Sequence, residues 1–533
     1  MTSVGNGEAS NSGDQPSDHN NSDDDELVSR ADLYPMQIQN LPKYASMKQI
    51  KNQLKKLSIP AWSKFRCGKS HVFISFACET DRLKAIQMVD GYEWKGRVVR
   101  ARRAQAAPEV KCSAADQSTS LERMLDAVTP LRAVLYEDQL CLKTEESLSL
   151  LASSLKQMMS AGCKRSKEPC ELMKPIVGSP VQRNYRNKCE FAIGPGVDGR
   201  TTIGFVVSGS FVVFPIDQCI HIPEVMKKCV LSLEEFVRQS ALPCYDEKMR
   251  QGFWKMITLR SFAFDLLVIV SVQEASESRD KMEEVKAGLV RWFGQHARLS
   301  HGFRVTSLYW EGSSSQSRIT SYERLAGAYY VYENLLGYRF RVSPGAFFQT
   351  NSQAAELLYK TIGELAGSDK ESLLLDICCG TATIGLSLAA QFKGVIGVEL
   401  CAEAVLDARY NAESNGVANC KFVTGKAEDV FSELKYFLPA EVKRLDEAKI
   451  VGILDPPRAG LPVKLVQALR RTELLKRIVY VSCDPKSATK NFVDLCRPVS
   501  NRFIGQPFSL ISVVPVDMFP QTKHCEWVLL FER

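Results

Sequence analysis

The last third of the chain carries reactive side chains directly after several apolar runs, each of which reads as a buried strand. A loop containing Gly380 follows the run that ends at Asp376–Ile377 and precedes a helical pattern. Gly380 lets the backbone turn sharply and come close to a bound molecule. Glu399 ends the next apolar run, where a carboxylate can accept hydrogen bonds from both hydroxyls of a ribose. These features predict a site for a nucleotide-like cofactor, although a packing loop in any α/β domain has a similar pattern.

Two further strand ends supply an acid and a thiol. One apolar run leads into DPPR, Asp455–Arg458, where two prolines remove two backbone donors and stiffen the chain as it leaves the strand. The next run leads into SCDP, Ser482–Pro485. Because the carboxyl ends of parallel strands lie at one edge of a sheet, Asp455 and Cys483 are predicted to face one cleft. A thiol in that place is a candidate nucleophile, whereas most of the 17 cysteines are expected to be small buried residues.

These motifs resemble those of the uridine-5 RNA methyltransferase family, over nearly the whole chain. The most specific pieces are FFQTN (Phe347–Asn351), DICCGTATIGL (Asp376–Leu386), GVEL (Gly397–Leu400), LDPPRAGL (Leu454–Leu461), YVSCDP (Tyr480–Pro485) and FPQTKHCE (Phe519–Glu526). The resemblance implies transfer of a methyl group from S-adenosylmethionine to C5 of a uridine in RNA. It implies that Cys483 is the nucleophile and Glu526 the proton acceptor. The candidate cofactor-binding residues are Gln349, Gly380, Glu399, Asp429 and Asp455, and the Gln349 amide could contact cofactor or uracil.

The implied chemistry explains why a thiol and a carboxylate are needed together. C5 of uracil is a poor nucleophile, and addition of a thiolate to C6 gives an enolate with its electron density at C5. After methylation, a carboxylate within hydrogen-bond reach removes the C5 proton, so that the cysteine can be eliminated. Glu526 precedes the last predicted strand, Trp527–Phe531, where it could equally be an ordinary strand-edge acid. Cytosine-5 RNA methyltransferases typically place a cysteine straight after the two prolines; Arg458 stands there, which favours uracil.

The expected fold is multidomain α/β. The carboxyl-terminal part is predicted to be a Rossmann-like S-adenosylmethionine-dependent methyltransferase domain, and the middle part an antiparallel α+β domain. The amino-terminal part reads βαββαβ, the ferredoxin-like order of an RNA recognition motif. The predicted divisions are 1–32 (a disordered acidic tail), 33–104 (the RNA recognition motif), 105–183 (a linker, Ala104–Ser120, then helices), 184–345 (the central domain that presents the RNA) and 346–533 (the catalytic domain).

Charge and base-stacking residues indicate an RNA partner. The net charge is +7 although residues 1–28 hold seven acids, so the remainder carries about +14, which suits a polyanion. In the amino-terminal module Phe73 fits a stacking position, whereas Gln37 and His71 stand where such motifs usually have aromatics. The module could therefore bind RNA or dock on a protein. The candidate RNA-binding residues are His71, Phe73, Arg186, Lys188 and Arg458.

Several functional classes are not supported by the sequence. No cysteine pair has CxxC spacing, and Cys163, Cys170 and Cys189, with Cys219, lack the tight spacing of an iron–sulfur cluster, so no metal is predicted. The most apolar stretch, Leu266–Val272, is too short to span a membrane. Abundant cysteines without a secretion signal predict a reducing compartment, the cytosol or nucleus. We expect a monomer that does not bind DNA.

Two functions of different classes follow. The first is an enzyme that forms 5-methyluridine in RNA, with the T-loop uridine of tRNA as the natural candidate and ribosomal or messenger RNA as alternatives. The second is an RNA-binding or tRNA-folding protein whose methyl transfer is secondary, which the extra module and the basic charge would support. A Cys483→Ala protein distinguishes them, because only the second function survives that change.

Overall fold

The structure, a computed structural model, describes residues 34–42, 47–62, 64–67, 71–104, 114–164, 167–207, 210–247, 249–263, 265–313, 322–367, 369–439 and 449–533. The chain divides into two compact units, Met1–Lys111 and Cys112–Arg533. The predicted disordered tail, residues 1–32, lies outside the described residues. The predicted boundaries at 183/184 and 345/346 both fall within the second unit.

The first unit has a four-stranded antiparallel sheet in the order β2-β3-β1-β6. Its strands bury alternate side chains, such as Met36 and Ile38 of β1, because successive residues of a strand point to opposite faces. These side chains pack with Leu54 of α1 and Val89 of α2. The element order is the predicted βαββαβ. The elements are β1 (Tyr34–Gln39), α1 (Met47–Lys56), β2 (Lys64–Cys67), β3 (His71–Phe76), α2 (Glu79–Val89), the short pair β4 (Glu93–Trp94) and β5 (Arg97–Val98), and β6 (Arg100–Arg103).

Three helices open the second unit: α3 (Ala114–Val128), α4 (Tyr136–Ser160) and α5 (Pro169–Leu172). The predicted linker Ala104–Ser120 is therefore too long, since α3 begins at Ala114. Alanine and glutamine are good helix formers, and the helix they open carries apolar Met124 and Leu125 into the core beneath the central sheet. Helix α4 packs on the catalytic sheet through Leu151 and Leu155. The helical segments are thus part of the folded unit.

The central sheet has seven strands in the order β13-β12-β11-β10-β7-β8-β9. The prediction of an antiparallel sheet is wrong for one pair, because β11 and β12 are parallel. Their connection runs through α7 and a π-helical segment, Trp292–His301, and this crossover is long enough to return the chain in the same direction. The elements are β7 (Lys188–Pro195), β8 (Thr201–Val206), β9 (Val213–Phe214), α6 (Glu224–Gln239), β10 (Trp254–Ser261), β11 (Leu266–Gln273), α7 (Arg279–Arg291), β12 (Ser307–Ser313) and β13 (Tyr322–Gly327).

A separate hairpin, β14 (Val331–Leu335) and β15 (Tyr338–Val342), joins the two sheets along the chain. The hairpin forms a two-stranded sheet of its own, apart from the central sheet. Leu336 and Gly337 form its two-residue turn and have φ values of +50° and +82°. A turn with two positive φ values matches the twist of the two strands that it joins.

The catalytic sheet has the order β18-β17-β16-β19-β20-β22-β21. The first five strands are parallel and buried on both faces, and β22 runs antiparallel to both neighbours. This is the predicted Rossmann-like arrangement. The carboxyl ends of β16, β17, β19 and β20 and the amino end of β22 therefore meet at one edge. The elements are α8 (Ser352–Ala366), β16 (Asp369–Ile377), α9 (Thr383–Leu388), β17 (Phe392–Glu399), α10 (Ala402–Ser414), β18 (Cys420–Thr424), α11 (Ala427–Glu433), β19 (Lys449–Leu454), α12 (Val463–Arg471), β20 (Leu475–Ser482), α13 (Pro485–Cys496), β21 (Ser509–Val516) and β22 (Glu526–Glu532).

Candidate active site

The loop after β16 turns through three residues with left-handed φ, Cys378 (64°), Gly380 (55°) and Ala382 (65°). The loop is held to the sheet by a hydrogen bond from the Gly385 N–H to Asp376 Oδ2 at 2.9 Å. Apart from Gly380 and its two chain neighbours, no described residue has a heavy atom within 4 Å of the place where a Cβ on Gly380 would stand. The turn therefore leaves open space beside its backbone, as the predicted cofactor loop requires.

Glu399 ties this loop to the end of β17. Its Oε2 accepts a hydrogen bond from the Gly380 N–H at 3.1 Å, and its Oε1 accepts from the N–H groups of Leu400 and Cys401 at 2.7 and 2.9 Å. A carboxylate oxygen can accept two hydrogen bonds, so Oε2, which accepts one from Gly380, can accept a second from a ribose hydroxyl. The carboxylate is thus fixed in position at the loop that it is predicted to serve.

We expect Glu399→Ala to weaken S-adenosylmethionine binding by about 1.5 to 3 kcal/mol, the range for losing hydrogen bonds to a charged group. Affinity for RNA should change little, because the contact predicted for Glu399 is with the ribose of the cofactor. Calorimetric titration with S-adenosylmethionine measures the effect. Glu403→Ala, which removes an exposed carboxylate in the first turn of α10, is the matched control. Equal cofactor affinity in the two variants would refute the ribose role.

Three other carboxyl groups lie at the same edge, those of Asp376, Asp455 and Glu526, and each of these three has a raised pKa. Burial raises the pKa of Asp376 to about 7, and the charges of Asp455 and Glu399 add to this shift. Burial also raises the pKa of Asp455 to about 7. Burial and the charge of Asp455 raise the pKa of Glu526 to about 8. Asp376 Oδ1 and Glu526 Oε2 are buried and have no hydrogen-bond partner among the residues that the structure describes. Such groups hold or release a proton near neutral pH, which suits general acid–base work.

Cys483 and Glu526 occupy the adjoining ends of β20 and β22. The last pair in the register of these strands is Ser482 opposite Trp527, and the next residues toward the cleft are Cys483 and Glu526. Burial and the charges of Glu526 and Asp455 raise the pKa of the Cys483 thiol, whereas Arg458 lowers it. The structure therefore brings the candidate nucleophile, the candidate base and Asp455 together in one cluster.

Positive charge lies beside this cluster. Arg458 is exposed, and burial together with the charges of Arg458 and Arg186 lowers the pKa of His524. Arg186 Nε donates a hydrogen bond to the Lys188 carbonyl at 3.0 Å. Lys188 itself pairs with Glu190, with Nζ and Oε1 2.7 Å apart. Arg186 and Arg458 thus flank the site, while the charge of Lys188 is already compensated.

The other predicted site residues lie on other elements of the fold. Gln349 is buried between β15 and α8, and its carbonyl accepts a hydrogen bond from Asn187 Nδ2 at 2.9 Å. Asp429 lies in the first turn of α11, directly after β18, at the edge that also carries Glu399. Phe73 and His71 belong to β3 of the first unit, and the side chain of His71 lies outside the described residues.

Helix α4, which falls within the helices predicted for residues 105–183, holds the chain that leads to Glu526. Lys143 Nζ lies 2.6 Å from Asp517 Oδ1, and both side chains are at most 1% exposed. The Tyr136 hydroxyl donates to Asp517 Oδ2 at 2.9 Å. Gln139 Nε2 donates to Gln521 Oε1 at 2.9 Å. Gln139, Lys143 and Ser147 follow one another at four-residue spacing and therefore share one face of the helix. This row of polar side chains is the sequence signal from which the contact could have been predicted.

We expect Lys143→Met to lower the free energy of unfolding of the second unit by about 3 to 5 kcal/mol, because the buried Asp517 carboxylate loses its cation. Methionine keeps most of the side-chain volume, so the effect reports charge and not a cavity. Urea denaturation measures it, with Lys156→Met, an exposed lysine on α4, as the matched control. Adding Asp517→Asn should restore part of the loss. Equal unfolding energies for the Lys143 and Lys156 variants would contradict the role assigned to the ion pair.

Within the described ranges, no group of three or more His, Cys, Asp or Glu side chains could hold a metal ion. No helix in the same part of the chain is both long enough and apolar enough to cross a bilayer.

Known proteins resemble this chain in sequence and fold. The family model described as tRNA (Uracil-5-)-methyltransferase matches residues 315–533. The chain is 39% identical over 556 residues to tRNA (uracil-5-)-methyltransferase homolog A of Homo sapiens, covering 99% of this chain and 87% of the relative. It is 37% identical over 435 residues to homolog B of Homo sapiens, covering 77% and 84%.

A solved structure has the same fold. The crystal structure of Pyrococcus abyssi tRNA (uracil-54, C5)-methyltransferase in complex with S-adenosyl-L-homocysteine superposes with a TM-score of 0.53 at 24% identity, covering 83% of this chain and 91% of that one. This likeness confirms the Rossmann-like catalytic fold. The resemblance inferred from the motifs is confirmed by the sequence relatives, and the chain belongs to the tRNA (uracil-5-)-methyltransferase family.

Proposed function

We propose that this protein uses S-adenosylmethionine to form 5-methyluridine in tRNA, at the T-loop uridine, through a covalent bond between Cys483 Sγ and C6. The observation that carries the proposal is that Cys483 and Glu526 lie just beyond the last register pair of β20 and β22, with the charges of Glu526 and Asp455 acting on the Cys483 thiol. The names of the relatives supply tRNA and uracil C5, and the Pyrococcus protein is named for uracil-54. Its complex with S-adenosyl-L-homocysteine supports the same cofactor here.

The residues at the sheet edge fit this cofactor. Open space borders the Gly380 backbone, Glu399 is placed for the ribose, and Asp429 lies at the neighbouring strand end. The buried, unpartnered Asp376 Oδ1 and the Asp455 carboxyl suit a ligand that carries positive charge. When bound, S-adenosylmethionine supplies the electrophilic methyl group.

The protein side chains carry the remaining steps. The Cys483 thiolate bonds to C6, the C5–C6 double bond is lost, and electron density moves to C5. Once C5 is methylated, the Glu526 carboxylate accepts the C5 proton, the double bond forms again, and Cys483 leaves as a thiolate. A pKa of about 8 gives Glu526 a basicity matched to neutral or slightly alkaline conditions.

The substrate base must leave its stack to meet these groups. A thiol at a sheet edge cannot reach C6 of a stacked base, so the uridine is extruded into the cleft, at a cost of a few kcal/mol. Arg186 and Arg458 flank the cluster and suit phosphate contacts that offset this cost. Activity on full tRNA and on an isolated T-arm stem-loop, falling steeply as salt rises, is the expected signature.

The test of this function is covalent trapping by tRNA that contains 5-fluorouridine. After methylation such a base has no C5 proton for Glu526 to remove, so the adduct should survive denaturation. Cys483→Ala should form none, whereas Cys401→Ala, a control at an exposed cysteine of the same edge, should trap normally. Failure of the wild type to form an adduct, or equal trapping by Cys483→Ala, would refute the proposal. Sequencing the trapped RNA distinguishes a T-loop site from ribosomal or messenger RNA.

We also propose that the first unit is an RNA recognition motif that adds tRNA affinity. Gln37 lies opposite both Phe73 and Arg102 in the sheet register, and Arg102 Nε donates to Gln37 Oε1 at 3.1 Å. These side chains alternate with the buried ones, so they share the outer face. On this face the ring of Phe73 can stack on a base, and the guanidinium of Arg102 can bind a neighbouring phosphate.

Deleting residues 1–104 should raise the KM for tRNA more than it lowers kcat, because the unit adds binding affinity and no reacting group. The cut precedes α3, so helix α4 and its contacts to Asp517 are kept. Steady-state kinetics with tRNA measure the split. A folded truncated protein that binds tRNA normally but has lost kcat would show that the unit belongs to the active site. An unchanged KM would favour docking on a protein instead.

A further inference from the structure

Arginine and tyrosine side chains cover the hairpin β14–β15 and the segment before it. The Arg324 guanidinium lies 4.0 Å from the ring centre of Tyr329, and that of Arg339 lies 3.9 Å from Tyr332. The Arg341 guanidinium lies between two rings, 4.3 Å from Tyr330 and 4.0 Å from Tyr410 of α10. We refer to this region as the Arg–Tyr surface, defined by Arg324, Tyr329, Tyr330, Tyr332, Arg339 and Arg341.

The surface has an inner and an outer part. Arg341 is the inner member: its side chain is 12% exposed, and Nε donates to Asp407 Oδ1 at 2.7 Å, which fixes the hairpin on α10. Arg324, Arg339 and Tyr329 are exposed, and Tyr329 is 60% exposed. No carboxylate among the described residues forms an ion pair with Arg324 or Arg339. The outer members therefore present two uncompensated cations and a wide aromatic face to solvent.

The Arg–Tyr surface is connected to the cofactor loop through one residue. The Arg341 N–H donates to Asn411 Oδ1 at 2.7 Å, and Asn411 Nδ2 donates to the Thr381 carbonyl at 3.1 Å. Helix α10, which carries Asn411, follows β17, and β17 lies three strands from β20. At about 4.8 Å per strand, the carboxyl end of β17 lies about 14 Å across the sheet from the end of β20 that precedes Cys483.

We propose that the Arg–Tyr surface binds the tRNA outside the reacting uridine, with Arg324 and Arg339 on phosphates and Tyr329 stacked on an unpaired base. The inference rests on the proposed function, since it assigns a second contact to the same substrate. A guanidinium group can donate two hydrogen bonds to the oxygens of one phosphate, and an aromatic ring can stack on any base. Because the arginines are already aligned on tyrosine rings, little side-chain freedom is lost on binding.

The test is the affinity for unmodified tRNA, measured by fluorescence anisotropy at several salt concentrations. Arg324→Ala/Arg339→Ala should raise the Kd about 10-fold or more and reduce the slope of log Kd against log salt by about 1.4 to 1.8, for two lost phosphate contacts. Tyr329→Leu should raise the Kd several-fold, whereas Tyr329→Phe, which keeps the ring and loses only the hydroxyl that accepts from Arg324 Nη2 at 3.1 Å, should raise it less. Arg502→Ala is the matched control, since Arg502 is an exposed arginine 5.7 Å from the ring of Phe503 in the loop after α13.

All these substitutions are at exposed positions, and S-adenosylmethionine affinity and thermal unfolding should match the wild type. Wild-type Kd and salt slope in the double arginine variant would overturn the proposal and point to a protein partner or a purely structural role. Equal effects of Arg502→Ala would overturn it as well, by showing that any lost cation has the same consequence. The binding assay requires no methyl transfer, so its outcome is independent of whether fluorouridine trapping succeeds.

Discussion

Cys483→Ala should abolish methyl transfer to tRNA, with a loss of at least about 10⁴-fold, because removing a nucleophile removes the covalent path altogether. Cofactor and tRNA affinities should stay within about twofold of the wild type, since a half-buried thiol contributes little to either binding event. The measurement is incorporation of labelled methyl groups into tRNA, with Cys401→Ala as the control. Residual turnover above about 1% of the wild type would contradict the nucleophile assignment.

The same variant separates the two classes of function. If cells that carry Cys483→Ala in place of the wild type keep the biological role while 5-methyluridine disappears, RNA binding or tRNA folding is the principal activity. If the role is lost together with the modification, methylation is the principal activity.

Glu526→Gln should stop the reaction after methyl transfer. Glutamine cannot accept the C5 proton, so the methylated base stays bonded to Cys483, and a denaturation-resistant adduct accumulates with ordinary uridine. Turnover should fall by about 10²- to 10⁴-fold, the usual contribution of a general base. Mass spectrometry should find one added methyl group in the adduct. Glu532→Gln, at the other end of β22, is the control and should turn over normally. Release of product at the wild-type rate would rule out Glu526 as the base.

The substitution should also change the pH dependence of stability. Burial raises the pKa of Glu526 from 4.5 to about 8, so the folded protein binds this proton more tightly than the unfolded chain does. The stability that results is present below about pH 4.5 and is lost as the pH rises through about 8. Glutamine does not titrate, so the stability of Glu526→Gln relative to the wild type should increase over this range. Urea denaturation at both ends of the range measures it, and a constant difference would contradict the burial of the charge.

The positions of the reactive side chains along their strands could be predicted from sequence. Asp455 and Cys483 each follow an apolar run, and parallel strands bring such positions to one edge. That Glu526 stands beside Cys483 could not be read in this way. It depends on β22 entering the sheet between β20 and β21, and on its antiparallel direction, which places its first residue at the edge where β20 ends. The motif resemblance predicted the role of Glu526, whereas the strand topology explains why Cys483 is its neighbour.

Local patterns failed where partners are distant in sequence. Lys143 reads as an ordinary lysine on an amphipathic helix, because nothing near it in the chain indicates a buried carboxylate. The parallel pair of β11 and β12 was missed for a similar reason, since alternating apolar residues show that a strand is half-buried but not which way its neighbour runs. Sequence-local signals thus predict individual helices and strands well. They do not by themselves predict which residues pair over long separations, because those pairings depend on the topology.

The network between α4 and the segment around Asp517 also fixes the order in which the active edge can form during synthesis. Its hydrogen bonds join residues 374 to 382 positions apart, so Gln139 and Lys143 leave the ribosome long before their partners exist. Until then the polar face of α4 has to remain hydrated, because burying it without partners is costly. Completion of that face and arrival of Glu526 at the cleft are therefore one event, which follows synthesis of the segment from Asp517 to Glu526. A nascent chain that has not reached this segment cannot hold a substrate uridine between a thiol and a base.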